Sequence, residues 1–182
     1  MTQRIISGLG SISKLINILE NKEAKNILLV TGKKSFLTSG AAEASEPIFK
    51  KFNVTRFHDF EINPKLEDAL KGTEIARNHN IDTIVSIGGG SVIDIAKLIL
   101  AFLKPGQDIE KIINGNIKAK DSRVSHISVP TTAGTGSEST HFAVVYSNKK
   151  KYSVAADFLV PKIVVLDGML ILSNNSLQKA SN

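Results

Sequence analysis

The stretch Gly88-Gly89-Gly90-Ser91-Val92-Ile93-Asp94-Ile95-Ala96-Lys97 follows a short apolar run, Thr83 to Ile87, and opens an apolar-periodic segment that ends near Leu103. This pattern predicts a strand, a turn free of side chains and a helix start meeting at one point. Successive glycines let backbone approach a ligand with no Cβ in the way. The first N–H groups of a helix have no partner inside it, and with the positive end of the helix dipole they suit a phosphate or pyrophosphate. Ser91 and Asp94 have the spacing of an N-cap and its N3 partner, Asp standing where Glu or Gln is more usual, which predicts a turn fixed before any ligand arrives. The plainer reading is a tight strand-to-helix connection. The run matches neither G-x-G-x-x-G nor the P-loop pattern, so alone it names no ligand.

A second string, Pro130-Thr131-Thr132-Ala133-Gly134-Thr135-Gly136-Ser137-Glu138, follows another apolar run, Val124 to Val129. It gathers hydroxyls and glycines on one turn, a dense set of hydrogen-bonding groups, although such a loop can equally be a solvated connection. Two turns of this kind, each after a predicted strand, are harder to dismiss. In an open parallel sheet the C-terminal strand ends share one edge, and ligands bind there.

Outward from these strings the chain alternates strands and helices. Helical spacing covers Ser11 to Leu19, Ala41 to Phe52 (bent or divided by Pro47), Leu66 to Asn78 and Ser91 to Leu103; strands are expected at Asn26 to Thr31, Val54 to Phe60, Thr83 to Ile87 and Val124 to Val129. A lysine-rich connection, Lys104 to Arg123, separates the last helix from the last of these strands. Phe142 to Tyr146 and Tyr152 to Ala156 read as a hairpin, and Lys162 to Leu166 as one more strand. The fold class is therefore α/β: a Rossmann-like, doubly wound parallel sheet with a β-hairpin. Residues 1–167 are expected to form a single dinucleotide-binding domain, and residues 168–182, which end in polar residues without a periodic core, to be frayed.

The 182 residues, 42% hydrophobic, suffice for one ordinary core. No apolar run approaches the roughly 20 residues that span a bilayer, and the N-terminus lacks the apolar core of a secretion signal, so no membrane association and a cytoplasmic location are expected. The absence of cysteine excludes disulfides and thiolate metal sites. The net charge of +6 is spread over scattered basic pairs and triplets, and aromatics are only 5% of the chain, which argues against a nucleic-acid face. The surplus fits a solvated surface and attraction for an anionic cofactor.

GGGSVIDIAK and PTTAGTGSE, in this order and separation, resemble the signatures of the iron-containing alcohol dehydrogenase family. The resemblance runs from "ISGLGSISKL" to "KIVVLD" and corresponds to the N-terminal half of the family's two-domain protein, without its C-terminal helical metal domain. It implies that Gly89, Gly90 and Ser91 hold the cofactor pyrophosphate with Asp94 nearby, and that Thr131, Thr132 and Thr135 line the cofactor. Asn63 in "INP" and Lys151 in "KKKYSV" match further cofactor positions; the plainer readings are a turn before Pro64 and a solvated hairpin charge.

Many NAD-using relatives carry Asp after the strand Asn26 to Thr31, where its carboxylate accepts hydrogen bonds from the adenosine ribose and repels a 2′-phosphate. Here Gly32 stands instead, followed by Lys33, Lys34 and Ser35. This favours NADP(H) over NAD(H), unless Gly32 only shapes the turn and the lysines face solvent. The family also binds a divalent metal, iron or zinc, through one Asp and three His of its second domain. His58, His79, His126 and His141 show no such spacing, so structural or surface roles are expected and no metal ligand or catalytic residue is assigned.

The resemblance thus implies reduction of a small aldehyde by hydride transfer, incomplete in this stretch alone, with "LLVTGKKSF" resembling phosphonoacetaldehyde reductases of the family. The alternative is a nucleotide-binding module that acts without turnover. Self-association, or pairing with a missing C-terminal half, is expected if a sheet edge is left uncovered.

Overall fold

The computed structural model describes residues 3–172. The strands are β1 (Arg4–Gly8), β2 (Asn26–Thr31), β3 (Asn53–Phe57), β4 (Thr83–Gly88), β5 (Ser125–Pro130), β6 (Phe142–Ser147), β7 (Lys150–Ala155) and β8 (Ile163–Asp167). The helices are α1 (Leu15–Asn21), α2 (Ser35–Thr38), α3 (Ala41–Phe49), α4 (Leu66–Asn78), α5 (Gly90–Phe102), α6 (Ile109–Ile113) and α7 (Gly168–Leu172), with a 3-10 turn over Ser11–Lys14 leading into α1. Six strands form one sheet in the order β1-β8-β5-β4-β2-β3, every adjacent pair parallel, and β6 pairs with β7 as a separate antiparallel hairpin.

The central strands β2, β4 and β5 are buried almost throughout, which is why they read as continuous apolar runs rather than alternating ones. Alternate residues serve two cores. Leu28, Val30 and Ile84 pack with α4 and α5 on one face, while Ile27, Leu29, Val85 and Ile87 pack with α1 and α3 on the other. The hairpin adds Ala143, Val145 and Val154 to the α5 side, and Asn148 and Lys149, both at positive φ, make its two-residue turn.

The sheet order sets the site. The chain moves outward from β2 to β3 and then returns past β2 to β4, so its direction reverses between β2 and β4. The helix pair α2 and α3 lies on one face and α5 on the other, leaving a crevice at the C-terminal ends of β2 and β4 where a doubly wound sheet takes its ligand.

Several boundaries differ from the sequence expectation. The edge strand β1 is unexpected, because it is mostly exposed and only Ile6 packs on the core. The strand expected over Val54 to Phe60 is Asn53–Phe57. Helix α3 runs through Pro47 but stops at Phe49, where Lys51 and Phe52 donate to Ile48 and Phe49 in tighter turns. At the C-terminal end, Gly168–Leu172 is helical where fraying is expected, and residues 173–182 lie outside the described residues.

Candidate functional site at the strand ends

Three turns converge on the crevice. The first is the glycine turn after β4. Gly89 is the N-cap of α5 in extended conformation, no side chain caps the helix, and the helix starts at Gly90. The expected Ser91–Asp94 capping pair does not form: Ser91 already lies inside the first turn, two residues past the N-cap position at which its hydroxyl would cap the helix.

The threonine loop after β5 lies directly over this turn. A Cβ on Gly89 would stand 3.0 Å from Thr132 Oγ1, and one on Gly90 would stand 3.1 Å from Ser137 Oγ and 3.2 Å from Thr135 Cβ. Thr131 N–H donates to the Gly88 carbonyl at 3.0 Å, closing the two turns on each other. Side chains at these glycines would fill the cradle. Thr132 Oγ1 is buried with no hydrogen-bond partner among the described residues, an energetically costly state that a ligand oxygen beside the helix start relieves.

The third turn follows β2. Ser35 Oγ occupies the space that a side chain on Gly32 would need, and Val92 of α5 lies 3.9 Å from the same point, so this turn adjoins the glycine turn. Arg56 of β3 reaches across to it. Its Nε donates to Thr31 Oγ1 at 2.9 Å, an Nη2 proton goes to the Gly32 carbonyl at 3.4 Å, and the guanidinium lies 4.6 Å from the centroid of Phe36. Lys33 pairs with Asp59 at 3.0 Å, and Lys71 pairs with the same carboxylate; hydrogen bonds from Lys71 and Lys33 hold Asp59 down to about 2.

Beyond its first turn, α5 carries two charges, a half-buried Asp94 and a buried Lys97, that hold the loop and the hairpin. The Asp94 carboxylate accepts the Val144 N–H of β6 at 3.2 Å; burial raises its pKa, opposed by the Val144 hydrogen bond, the Lys97 charge, a Ser137 hydrogen bond and the Lys151 charge. Lys97, which the sequence reading left unassigned, is fully buried. Its ammonium donates to the carbonyls of Ser137 (2.5 Å), Thr140 (2.6 Å) and Phe142 (3.0 Å) and to Thr140 Oγ1 (3.0 Å). Asn63 and Lys151 are both exposed and are joined through Tyr146, whose N–H donates to the Pro64 carbonyl at 2.7 Å and which pairs with Lys151 across the hairpin. The hairpin therefore brings these two distant residues to one end of the molecule, with the Lys151 charge felt at Asp94.

The histidines fall apart in space. His58 follows β3, His79 ends α4, His126 is in β5 and His141 precedes β6; among the described residues no three of His, Cys, Asp and Glu gather as a metal site. These residues do not fit a divalent metal. No helix among them is long and apolar enough to cross a membrane.

A family model described as iron-containing alcohol dehydrogenase matches residues 2–168. The chain is 33% identical over 169 residues to the probable NADH-dependent butanol dehydrogenase 1 of Bacillus subtilis (strain 168), covering 90% of this chain and 43% of that protein. It is 31% identical over 171 residues to the long-chain primary alcohol dehydrogenase AdhA of Thermoanaerobacter ethanolicus, with 90% and 43% covered. Among solved structures, sulfoacetaldehyde reductase from Bifidobacterium kashiwanohense in complex with NAD+ superposes with a TM-score of 0.89 at 28% identity, covering 98% of this chain and 48% of that one. The chain thus spans less than half the length of these relatives.

Proposed function

The chain belongs to the iron-containing alcohol dehydrogenase family, and we propose from that premise that residues 1–167 carry the nicotinamide-dinucleotide site of an alcohol dehydrogenase that reduces a small aldehyde by hydride transfer. The observation that carries the proposal is the closure of the threonine loop over the glycine turn, with a buried Thr132 hydroxyl between them that has no hydrogen-bond partner among the described residues. The N–H groups opening α5 at Gly90 and Ser91 receive the pyrophosphate, flanked by the hydroxyls of Thr131, Thr132 and Thr135. Gly32, Lys33 and Ser35 take the adenosine ribose and favour NADP(H), since the residue that follows β2 is a glycine and not an acid. Asn63 and Lys151 flank the site through the hairpin, and Asp94 keeps that hairpin in place. The bound nicotinamide supplies the hydride.

A second reading, dinucleotide binding without turnover, is favoured by one observation: the described residues offer no metal-ligand set to polarise a carbonyl. Oxidation of the reduced cofactor by a small aldehyde with added Fe²⁺ or Zn²⁺ supports the dehydrogenase, and cofactor binding with no oxidation supports the module.

The site itself is tested by Gly89→Val. Gly89 has φ −80° and ψ −172°, a conformation valine adopts freely, so the substitution acts through the space it fills and not through backbone strain. The added side chain must push Thr132 aside. Calorimetric titration will show dinucleotide affinity weakened about 100-fold, equivalent to about 2.7 kcal/mol, while the melting temperature falls by no more than about 10 °C. A variant that binds as well as the parent, or a parent that binds neither dinucleotide, refutes the proposal.

A further inference from the structure

We infer that Arg56 selects a dinucleotide bearing a 2′-phosphate, gripping that phosphate beside the Gly32 turn; the inference rests on the dinucleotide reading above and deepens it. Arg56 lies outside every motif, on the strand beyond β2 and in register with Leu29. Folding alone brings it to the cofactor edge. There its guanidinium is held by three neutral groups, the Thr31 hydroxyl, the Gly32 carbonyl and the Phe36 ring.

Those contacts consume two of its five N–H donors and fix the plane of the group. The remaining donors, two on Nη1 and one on Nη2, form an edge with two parallel N–H bonds. That is the fork geometry which takes a phosphate bidentately. The charge is also uncompensated. Arg56 makes no ion pair among the described residues, and the acid three positions on, Asp59, is engaged by Lys33 and Lys71. A rigidly held cation with an open fork has no purpose toward a ribose 2′-hydroxyl, for which a carboxylate is the better partner. It suits a dianionic phosphate ester on that ribose, with Lys33 close by as a second cation able to turn from Asp59.

If Arg56 served only to brace the Gly32 turn, its loss would weaken all adenosine ligands alike. Calorimetry on the whole chain with NADPH, NADH, 2′,5′-ADP and 5′-AMP separates the two roles. Arg56→Gln is expected to weaken NADPH and 2′,5′-ADP about tenfold or more while NADH and 5′-AMP stay within about twofold. Arg56→Lys, which keeps the charge and loses the fork, falls between for the phosphorylated pair. Equal losses for phosphorylated and unphosphorylated ligands, or no loss at all, overturn the inference and leave the dinucleotide site standing. A parent chain that binds neither dinucleotide removes that site itself, and the inference with it.

Discussion

Replacing His126 with glutamine will remove much of the acid sensitivity of this fold, so that the variant is less stable than the parent at pH 7 and at least as stable at pH 4. His126 lies in β5, 1% exposed, on the face covered by α5, with Nε2 2.9 Å from Ser86 Oγ and Nδ1 without a partner among the described residues. Burial, and secondarily the charge of Lys97, push its pKa down to about 3. The unfolded chain, with an ordinary histidine near 6.5, binds the proton first. His126 therefore costs nothing above pH 6.5, and stability drains away as the pH falls from there toward 3, at about 1.36 kcal/mol per pH unit. The accumulated loss is on the order of 4 kcal/mol, a large part of the 5–15 kcal/mol that typically holds a domain together. Glutamine keeps a hydrogen-bonding partner for Ser86 and does not titrate, at a packing cost of roughly 1–2 kcal/mol. Urea melts of both proteins at pH 7, 5 and 4 measure the difference. Parallel pH profiles would show that protonation elsewhere governs the acid limit.

How much of this was legible in the chain depends on where each residue's constraint comes from. Helix α4 falls on Leu66–Asn78 as expected, because its period and its acidic first turn, Glu67 and Asp68, are local signals that packing did not overrule. The same holds for β2, where two-sided burial demands an unbroken apolar run. β1 left no such trace. An edge strand with one face barely covered places little demand on its side chains, and its pairing with β8 joins opposite ends of the chain. The short helix α6 was hidden in the lysine-rich connection although its cap was on view: Asp108 accepts the Lys111 N–H at 3.1 Å.

For the site, the two loops could be read as neighbours because parallel topology places consecutive strand ends on one edge. That they touch at Gly89 and Gly90 is a tertiary fact. Asp94 was visible as a polar residue near a helix start, yet its partner, Val144 N–H, is fifty positions away, so spacing alone suggested a cap that does not form. Arg56 carries no local signal at all; only the pairing of β3 with β2 discloses it. Lys97 did carry one, as a lysine standing four residues after Ile93 and three before Leu100 on a stripe that is otherwise apolar. A cation at such a position is buried only if acceptors come to meet it.

Those acceptors make Lys97→Met the substitution with the widest consequences: a fall in melting temperature on the order of 10 °C, together with dinucleotide affinity reduced at least about tenfold. Three ammonium protons serve four oxygens, drawn from the threonine loop (Ser137, Thr140) and the first residue of the hairpin (Phe142). Burial lowers the pKa of Lys97 to about 8, with Asp94 and Glu138 pulling the other way, so the group is still a cation at neutral pH. Methionine replaces the apolar stem and removes every donor. Each carbonyl left dry costs about 1–3 kcal/mol, but the loop lies at the rim and will open to water, which limits the total to about 3 kcal/mol. That opening is what damages binding. Ser137 and Thr135 form the wall over Gly90, and once the Ser137 carbonyl is released the wall no longer stands at van der Waals distance from the helix start. Affinity lost in proportion to stability across a urea series would point to general loosening, whereas affinity lost under conditions where the variant is fully folded locates the effect in the loop. A variant that melts within about 3 °C of the parent and binds equally well would mean that the Thr131–Gly88 hydrogen bond and the apolar face of the hairpin hold the cradle closed without the lysine.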